Sequence, residues 1–317
     1  MKLRKVRASA PGSLMLMGEH AVLRGEPAVV CAIGKRIRVA LSPREDGKVT
    51  MHSALGTHET TVEELAADES FRFVVGALRA ERDAGEGGLG EGMDLDIRSE
   101  MSHQMGLGSS AAVTVATLAA VAAARGEEVD AGKLVERGTA VVRRAQGGRG
   151  SGADVAASAY GGVLRYYMES QEALRLPVKP ELTLLYSGYK TPTAEVIARV
   201  EEARKRDTAL YDALDGLIGE TVRRAVDAAV AGDLETVGRM MDMNHGLMDA
   251  MGVNDARLSE LTYALRGDSQ VLGSKISGSG LGDCAVGLGR ALRRDFGAVR
   301  LDVEVDGRGA VAREDDA

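Results

Sequence analysis

The sequence contains no tryptophan, only three phenylalanines and only two cysteines. Without aromatic bulk, the core has to be assembled from Ala, Val, Leu and Met, a composition that suits tightly packed helices and strands. Cys31 and Cys284 are too few for a disulfide framework or a zinc site. They read as two reduced thiols, as expected of a cytoplasmic protein. The formal net charge is −7, and no basic stripe interleaved with aromatics occurs, which argues against nucleic acid as a partner. A phosphate ligand would have to be met by local positive potential rather than by a global basic field. The longest apolar run, residues 111–124, is short for a membrane span and contains Thr. The basic start at residues 1–7 is followed by no apolar run of signal-peptide length. No membrane association is therefore expected. The Walker pattern Gly-x-x-x-x-Gly-Lys-Ser/Thr does not occur, so a P-loop is excluded.

What is present fits a globular chain. With 317 residues, 44% of them apolar and 27% charged, the chain suits two domains of about 150 residues each. β-Branched runs and alternation predict strands over 6–10, 28–42 with a break at Gly34, 93–98, 163–167, 182–186, 285–288 and 299–305. Helical patterning covers 61–81, 109–125, 130–144, 193–206, 210–231, 234–251 and 255–266. The charged tail from Arg313 reads as frayed. A mixed first half, then a helix-rich second half ending in strands, predicts two α+β domains. The boundary falls near 172–180, giving domains of 1–176 and 177–317.

Four segments carry candidate chemistry. In Gly106-Leu107-Gly108-Ser109-Ser110-Ala111, glycines allow positive φ and close backbone approach to a phosphate. The helix that follows offers N-terminal amides and a dipole that favour an anion. Ser109 or Ser110 can cap that helix, bond a phosphate or ligate magnesium. The plainer reading is a helix start that merely needs glycine. A second loop, 148–162, holds Asp154 between glycine-rich turns, where it is a candidate base for a substrate hydroxyl or simply a turn former. A third, Ser277-Gly278-Ser279-Gly280-Leu281-Gly282-Asp283-Cys284, can close over phosphates by the same amide logic or merely join helix to strand. Near the start, Gly18-Glu19-His20 lies in a predicted turn.

Together these segments resemble the GHMP kinase superfamily, the galactokinase, homoserine, mevalonate and phosphomevalonate kinases. Its three motifs appear in order at 11–22, 106–112 and 275–284. Gly18-Glu19-His20-Ala21-Val22, followed by Gly25-Glu26-Pro27-Ala28, looks most like the mevalonate kinases. Residues 150–157 and 277–284 lean toward the phosphomevalonate kinases. The resemblance implies ATP-dependent, magnesium-dependent phosphorylation of a hydroxyl on a small carboxylate, most simply mevalonate, in isoprenoid precursor synthesis. It implies an α+β fold with a ribosomal protein S5 domain 2-like first domain and a ferredoxin-like second domain. It leaves room for a homodimer. By position, Asp154 is the base, Ser110 holds magnesium and Gly106 to Ala111 cradle phosphates. Ser277, Gly278, Ser279 and Gly280 close over the nucleotide, and Ser13, Glu19, His20, Ser151, Gly152 and Thr193 face the acceptor. The family's usual Lys after Ala-Pro-Gly is Ser13 here, the usual magnesium acid falls on Arg143, and Pro-x-Gly is replaced by Ser102-His103-Gln104. Lys190, Arg144 and Arg149 are candidates for the missing cation, and Lys190 is taken as catalytic. These departures also keep open a second class, a GHMP-fold protein that binds ligand without catalysis.

Overall fold

β-Branched and small apolar residues over the first forty positions build one long antiparallel hairpin, β1 (Val6–Met17) and β2 (Ala28–Arg44). β1 outruns the expected 6–10, because Pro11, which has no N–H to donate, is absorbed at a register shift between Pro11 and Gly12. Gly34 does not end β2. The partners jump from Arg36 to Ile33 across that shift, so the expected break becomes a bulge. The computed structural model describes residues 3–84, 89–101 and 105–315. Ser102, His103 and Gln104, singled out above, lie outside the described residues.

β3 (Lys48–Ser53) and β4 (Gly56–Thr61) form a hairpin for which no strands were expected, and β4 takes in Thr61, where a helix was expected to begin. The helix α1 (Arg72–Ala84) begins later than residue 61. Thr57, Thr60 and Thr61 favour a strand, and the buried face of α1, Val74, Val75 and Leu78, starts only after Phe71. β5 (Gly92–Ser99) lies parallel to β3 and antiparallel to β2. α2 (Ser109–Ala124) is apolar on every side and buried throughout most of its length, as a helix at the centre of a lobe must be. α3 (Ala131–Ala145) is capped by Asp130, and α4 (Ala153–Tyr160) is an Ala-rich helix inside the segment expected to be loop. β6 (Val163–Tyr166) and β7 (Ala173–Leu176) extend the sheet beside the first half of β2.

The chain then enters a second sheet: β8 (Glu181–Tyr186), β9 (Ser274–Ser277), β10 (Cys284–Leu288) and β11 (Val299–Glu304), in the antiparallel order β11-β8-β10-β9. Counted within the lobe, this is the 4-1-3-2 order of a ferredoxin-like sheet. α5 (Thr193–Arg204), α6 (Thr208–Val230), α7 (Leu234–Ala250) and α8 (Ala256–Arg266) fill the single crossover from β8 to β9. The tail is not frayed through residue 314. β12 (Val311–Glu314) pairs with β1, and the Asp315 N–H donates to Lys5 O at 2.9 Å. A division at 176/177 therefore does not part sheet from sheet, because the first sheet holds strands from both ends of the chain. The lobes are stitched by the Ile33–Val305 bridge and the buried Arg36–Asp306 ion pair. No helix is long and apolar enough to cross a membrane among the described residues.

Candidate active site

Gly12 lets the first glycine-serine loop sit directly on β1. A Cβ at Gly12 would lie 2.3 Å from Met101 Sδ and 2.5 Å from Leu107 O. With none there, the Ser13 N–H donates to Leu107 O at 3.0 Å. Gly106 and Gly108 both adopt left-handed backbone, at φ +65° and +67°. A Cβ on Gly108 would come within 1.9 Å of Ser13 Oγ. The loop is thus folded back on the strand, with Leu107 buried as its plug. Gly108 is the N-cap of α2 and supplies no side-chain cap, so neither Ser109 nor Ser110 caps the helix. Among the described residues no protein acceptor meets the N–H groups of Ser109, Ser110 and Ala111, and the two hydroxyls donate to no protein group. Open amides at the positive end of a long helix suit an anion.

The same strand brings up the carboxylate. Ser13, itself buried, donates its Oγ–H to Asp154 Oδ1 at 2.8 Å. Asp154 stands in the first turn of α4, which Gly152 opens at φ +88° with no room for a side chain against Thr139 and Tyr166. Ser151 Oγ accepts from the Ala153 N–H, and Tyr166 Oη and Arg143 donate to Ser151 O. Arg143, where a magnesium acid was sought, therefore braces the turn before Asp154. Desolvation by the surrounding protein raises the Asp154 pKa, opposed by the Ser13 hydrogen bond and the Lys190 charge, while the Glu19 charge adds to the rise. Asp154 keeps a solvent-exposed edge, so water tempers this shift until a ligand fills the cleft.

Lys190 reaches the site from the second lobe. Its Nζ lies 3.3 Å from Asp283 Oδ1, and Asp283 rests against Gly106, where a Cβ would be 2.6 Å from the carboxyl carbon. Burial raises the Asp283 pKa, Lys190 lowers it, and the Asp154 charge raises it further. Asp283 was not among the residues expected in the site. Its signal was an acid inside a glycine run. Arg149 is exposed and donates to Ala194 O, beside the exposed Thr193 at the start of α5. Arg144 is exposed. Neither arginine makes a contact with Asp154 among the described residues.

Glu19 and His20 form a buried set with the third loop. The fully buried Lys275 donates to Glu19 Oε1 at 2.5 Å, and Glu19 Oε2 has no partner among the described residues. Burial lowers the Lys275 pKa and the Glu19 carboxylate opposes that. His20, at φ +61°, has Nε2 2.8 Å from Ser279 O. A carbonyl only accepts, so Nε2 carries the proton. Burial lowers the His20 pKa, opposed by the hydrogen bond to Ser279 O and the Glu19 charge, which favours the neutral ring with Nδ1 as its acceptor. Ser277, expected to contact nucleotide, instead donates its hydroxyl to Met15 O at 3.0 Å and is buried. Gly278 and Gly280 are left-handed, and Gly280 has its Cα face packed on Val253 O.

Two family models match the chain. GHMP kinases N terminal domain covers residues 72–162, and GHMP kinases C terminal covers 225–298. A mevalonate kinase of Thermococcus sibiricus is 32% identical over 299 residues, 90% of this chain and 89% of that protein. A mevalonate kinase of Methanothermobacter thermautotrophicus is 31% identical over 96% of this chain and 99% of its own. Among solved structures, a mevalonate kinase superposes with a TM-score of 0.80 at 19% identity, over 95% of this chain and 99% of that one, a likeness of fold alone.

Proposed function

The chain belongs to the GHMP kinases, and from that premise we propose that it transfers the γ-phosphoryl group of ATP to the primary hydroxyl of mevalonate, forming 5-phosphomevalonate and ADP. The observation that carries this reading is the pairing of the Asp154 carboxylate with Ser13, on the strand to which Leu107 O ties the loop that presents the open amides of Ser109, Ser110 and Ala111. Mevalonate is chosen over other acceptors because relatives of that name match nearly the whole chain.

Phosphoryl transfer asks for placement and charge neutralisation more than for covalent chemistry. The N–H groups of Ser109, Ser110 and Ala111 receive the phosphate oxygens. Asp154 Oδ1 is committed to Ser13, so Oδ2 faces the acceptor hydroxyl and takes its proton as the oxygen attacks the γ-phosphorus. Ser13 holds the carboxylate in orientation but brings no charge. Lys190 is the cation that offsets charge on the transferring group. His20 Nδ1 is the acceptor offered to the remaining acceptor-side hydroxyl, and the buried Glu19 is held behind it by Lys275. Magnesium fits the site as a largely phosphate- and water-bound ion. The Ser110 hydroxyl is free to ligate it, and no group of three acidic, His or Cys side chains forms a cage among the described residues. When bound, it would neutralise phosphate charge.

The test is ADP formation by the purified chain with mevalonate, 5-phosphomevalonate, homoserine and simple sugars. Mevalonate is expected to give the highest kcat/KM. A higher value for 5-phosphomevalonate would transfer the assignment to that acceptor. ATP binding with no turnover on any of them would make the chain a ligand-binding protein. Asp154 must be ionised to act, and its pKa is raised, so activity falls with acidification earlier than an ordinary carboxylate would dictate. Lys190→Met removes a charge that holds that pKa down. The acid limb of the pH profile is expected to move to higher pH, and an unmoved limb would separate Lys190 from Asp154.

A further inference from the structure

Asp283 has a backbone that a side chain ordinarily avoids. It sits at φ +62°, with left-handed Leu281 and Gly282 just before it. Non-glycine residues hold that conformation only where surrounding structure imposes it, and such outliers gather at functional sites. The imposition here is a lacing of two loops. The Asp283 N–H donates to Tyr189 O at 3.0 Å, and the Ser187 N–H donates to Asp283 O at 2.9 Å. Thr191 Oγ1 donates to Leu281 O at 2.5 Å, and Gly282 packs against the Lys190 Cα. The segment bearing Lys190 and the segment bearing Asp283 are one unit.

Within that unit the carboxylate is buried, 6% exposed, and is laid over Gly106 of the phosphate loop. Among the described residues Oδ1 has no well-aligned hydrogen bond, and Lys190 Nζ lies 3.3 Å from it. A bare carboxylate beside a triphosphate cradle repels the ligand. A carboxylate that anchors an ammonium there does the opposite, because the lysine is flexible and a fixed anion gives it one address. We propose that Asp283 is a positioning residue: it holds the Lys190 ammonium against the phosphate loop beside Asp154, so that Lys190 stands in for the charge that Ser13 does not bring. This rests on the reading of Lys190 as the site's cation.

The test is a double-mutant cycle on the full chain, with kcat and ATP affinity measured for Asp283→Asn, Lys190→Met and both together. Asn tolerates left-handed backbone, so the first variant keeps the turn. Asp283→Gly, still easier at this φ, is the second check on folding and is expected to show the same loss. Lys190→Met is expected to lower kcat about 10²-fold, and Asp283→Asn about tenfold, as for other partners that orient a charged group. In the Lys190→Met background, Asp283→Asn is expected to cost no more than about twofold, the signature of two residues acting as one. A silent Asp283→Asn, or a tenfold loss that persists without Lys190, would overturn the positioning role while leaving Lys190 as the cation. A silent Lys190→Met would overturn the cation reading and the positioning role with it.

Discussion

Two loops of this protein share a composition and do opposite things. Both join glycines to serines, and both use left-handed backbone, at Gly106 and Gly108 in one and at Gly278, Gly280 and Gly282 in the other. The first turns its polar backbone outward, with the amides opening α2 left without protein acceptors among the described residues. The second spends several of its polar groups on the protein, although the Ser279 hydroxyl and the N–H groups of Gly278, Ser279, Gly280 and Gly282 meet no protein partner among the described residues. Ser277 bonds Met15, Ser279 O meets His20, the Leu281 N–H bonds Val253 O, and Leu281 O accepts from Thr191. We propose the first as a cradle for phosphate, while the second joins the lobes through these bonds. Glycine content alone does not distinguish them. What distinguishes them is whether a long helix begins where the loop ends.

The sharpest way to break this contrast is to remove the proposed base, Asp154, beside the proposed cradle. Asp154→Asn keeps the Ser13 contact but cannot take a proton. Turnover is expected to fall about 10³-fold, within the span general-base and positioning effects cover, while ATP affinity measured by calorimetry is unchanged. Turnover within tenfold of normal would remove Asp154 from the chemistry. Next in size is the cradle itself. Gly108→Ala would put a methyl 1.9 Å from Ser13 Oγ at φ +67°, so the loop must lift from β1. ATP affinity is expected to drop at least about tenfold, because preorganised amides are lost. Normal affinity in that variant would show that the loop's backbone does not grip phosphate.

Much of this was legible in advance, for reasons tied to local chemistry. The helix at 109–125 announced itself by a long Ala-rich run of small residues after Gly-Leu-Gly, and the strand at 93–98 by alternation. The hairpin β3–β4 did not, because its strands are polar and threonine-rich and the strand that holds it in the sheet, β5, lies far away in sequence. β12 was hidden for the same reason: a charged tetrapeptide becomes a strand only because β1 offers an edge. In the site, Asp154 and the phosphate loop were visible as motifs. Ser13 was visible as a missing lysine. Asp283 was not, since its importance comes from a backbone conformation and a neighbour, Lys190, that lies in another loop.

The smallest effect expected concerns the joint. Ser277→Ala removes a buried hydrogen bond to Met15 O and leaves that carbonyl short of a donor. Such a loss costs about 1–2 kcal/mol of stability, and it should appear as a lowered denaturant midpoint with an unchanged slope. The hydroxyl points at β1, so KM for ATP should stay within about twofold of the parent, a change worth less than 0.5 kcal/mol. The two readouts together decide the matter. A raised KM with undiminished stability would mean that Ser277 faces phosphate, and the second loop would then be a cradle like the first. Lowered stability with an unmoved KM leaves the division of labour standing: amides at α2 hold the nucleotide, and side chains at β9 hold the lobes together.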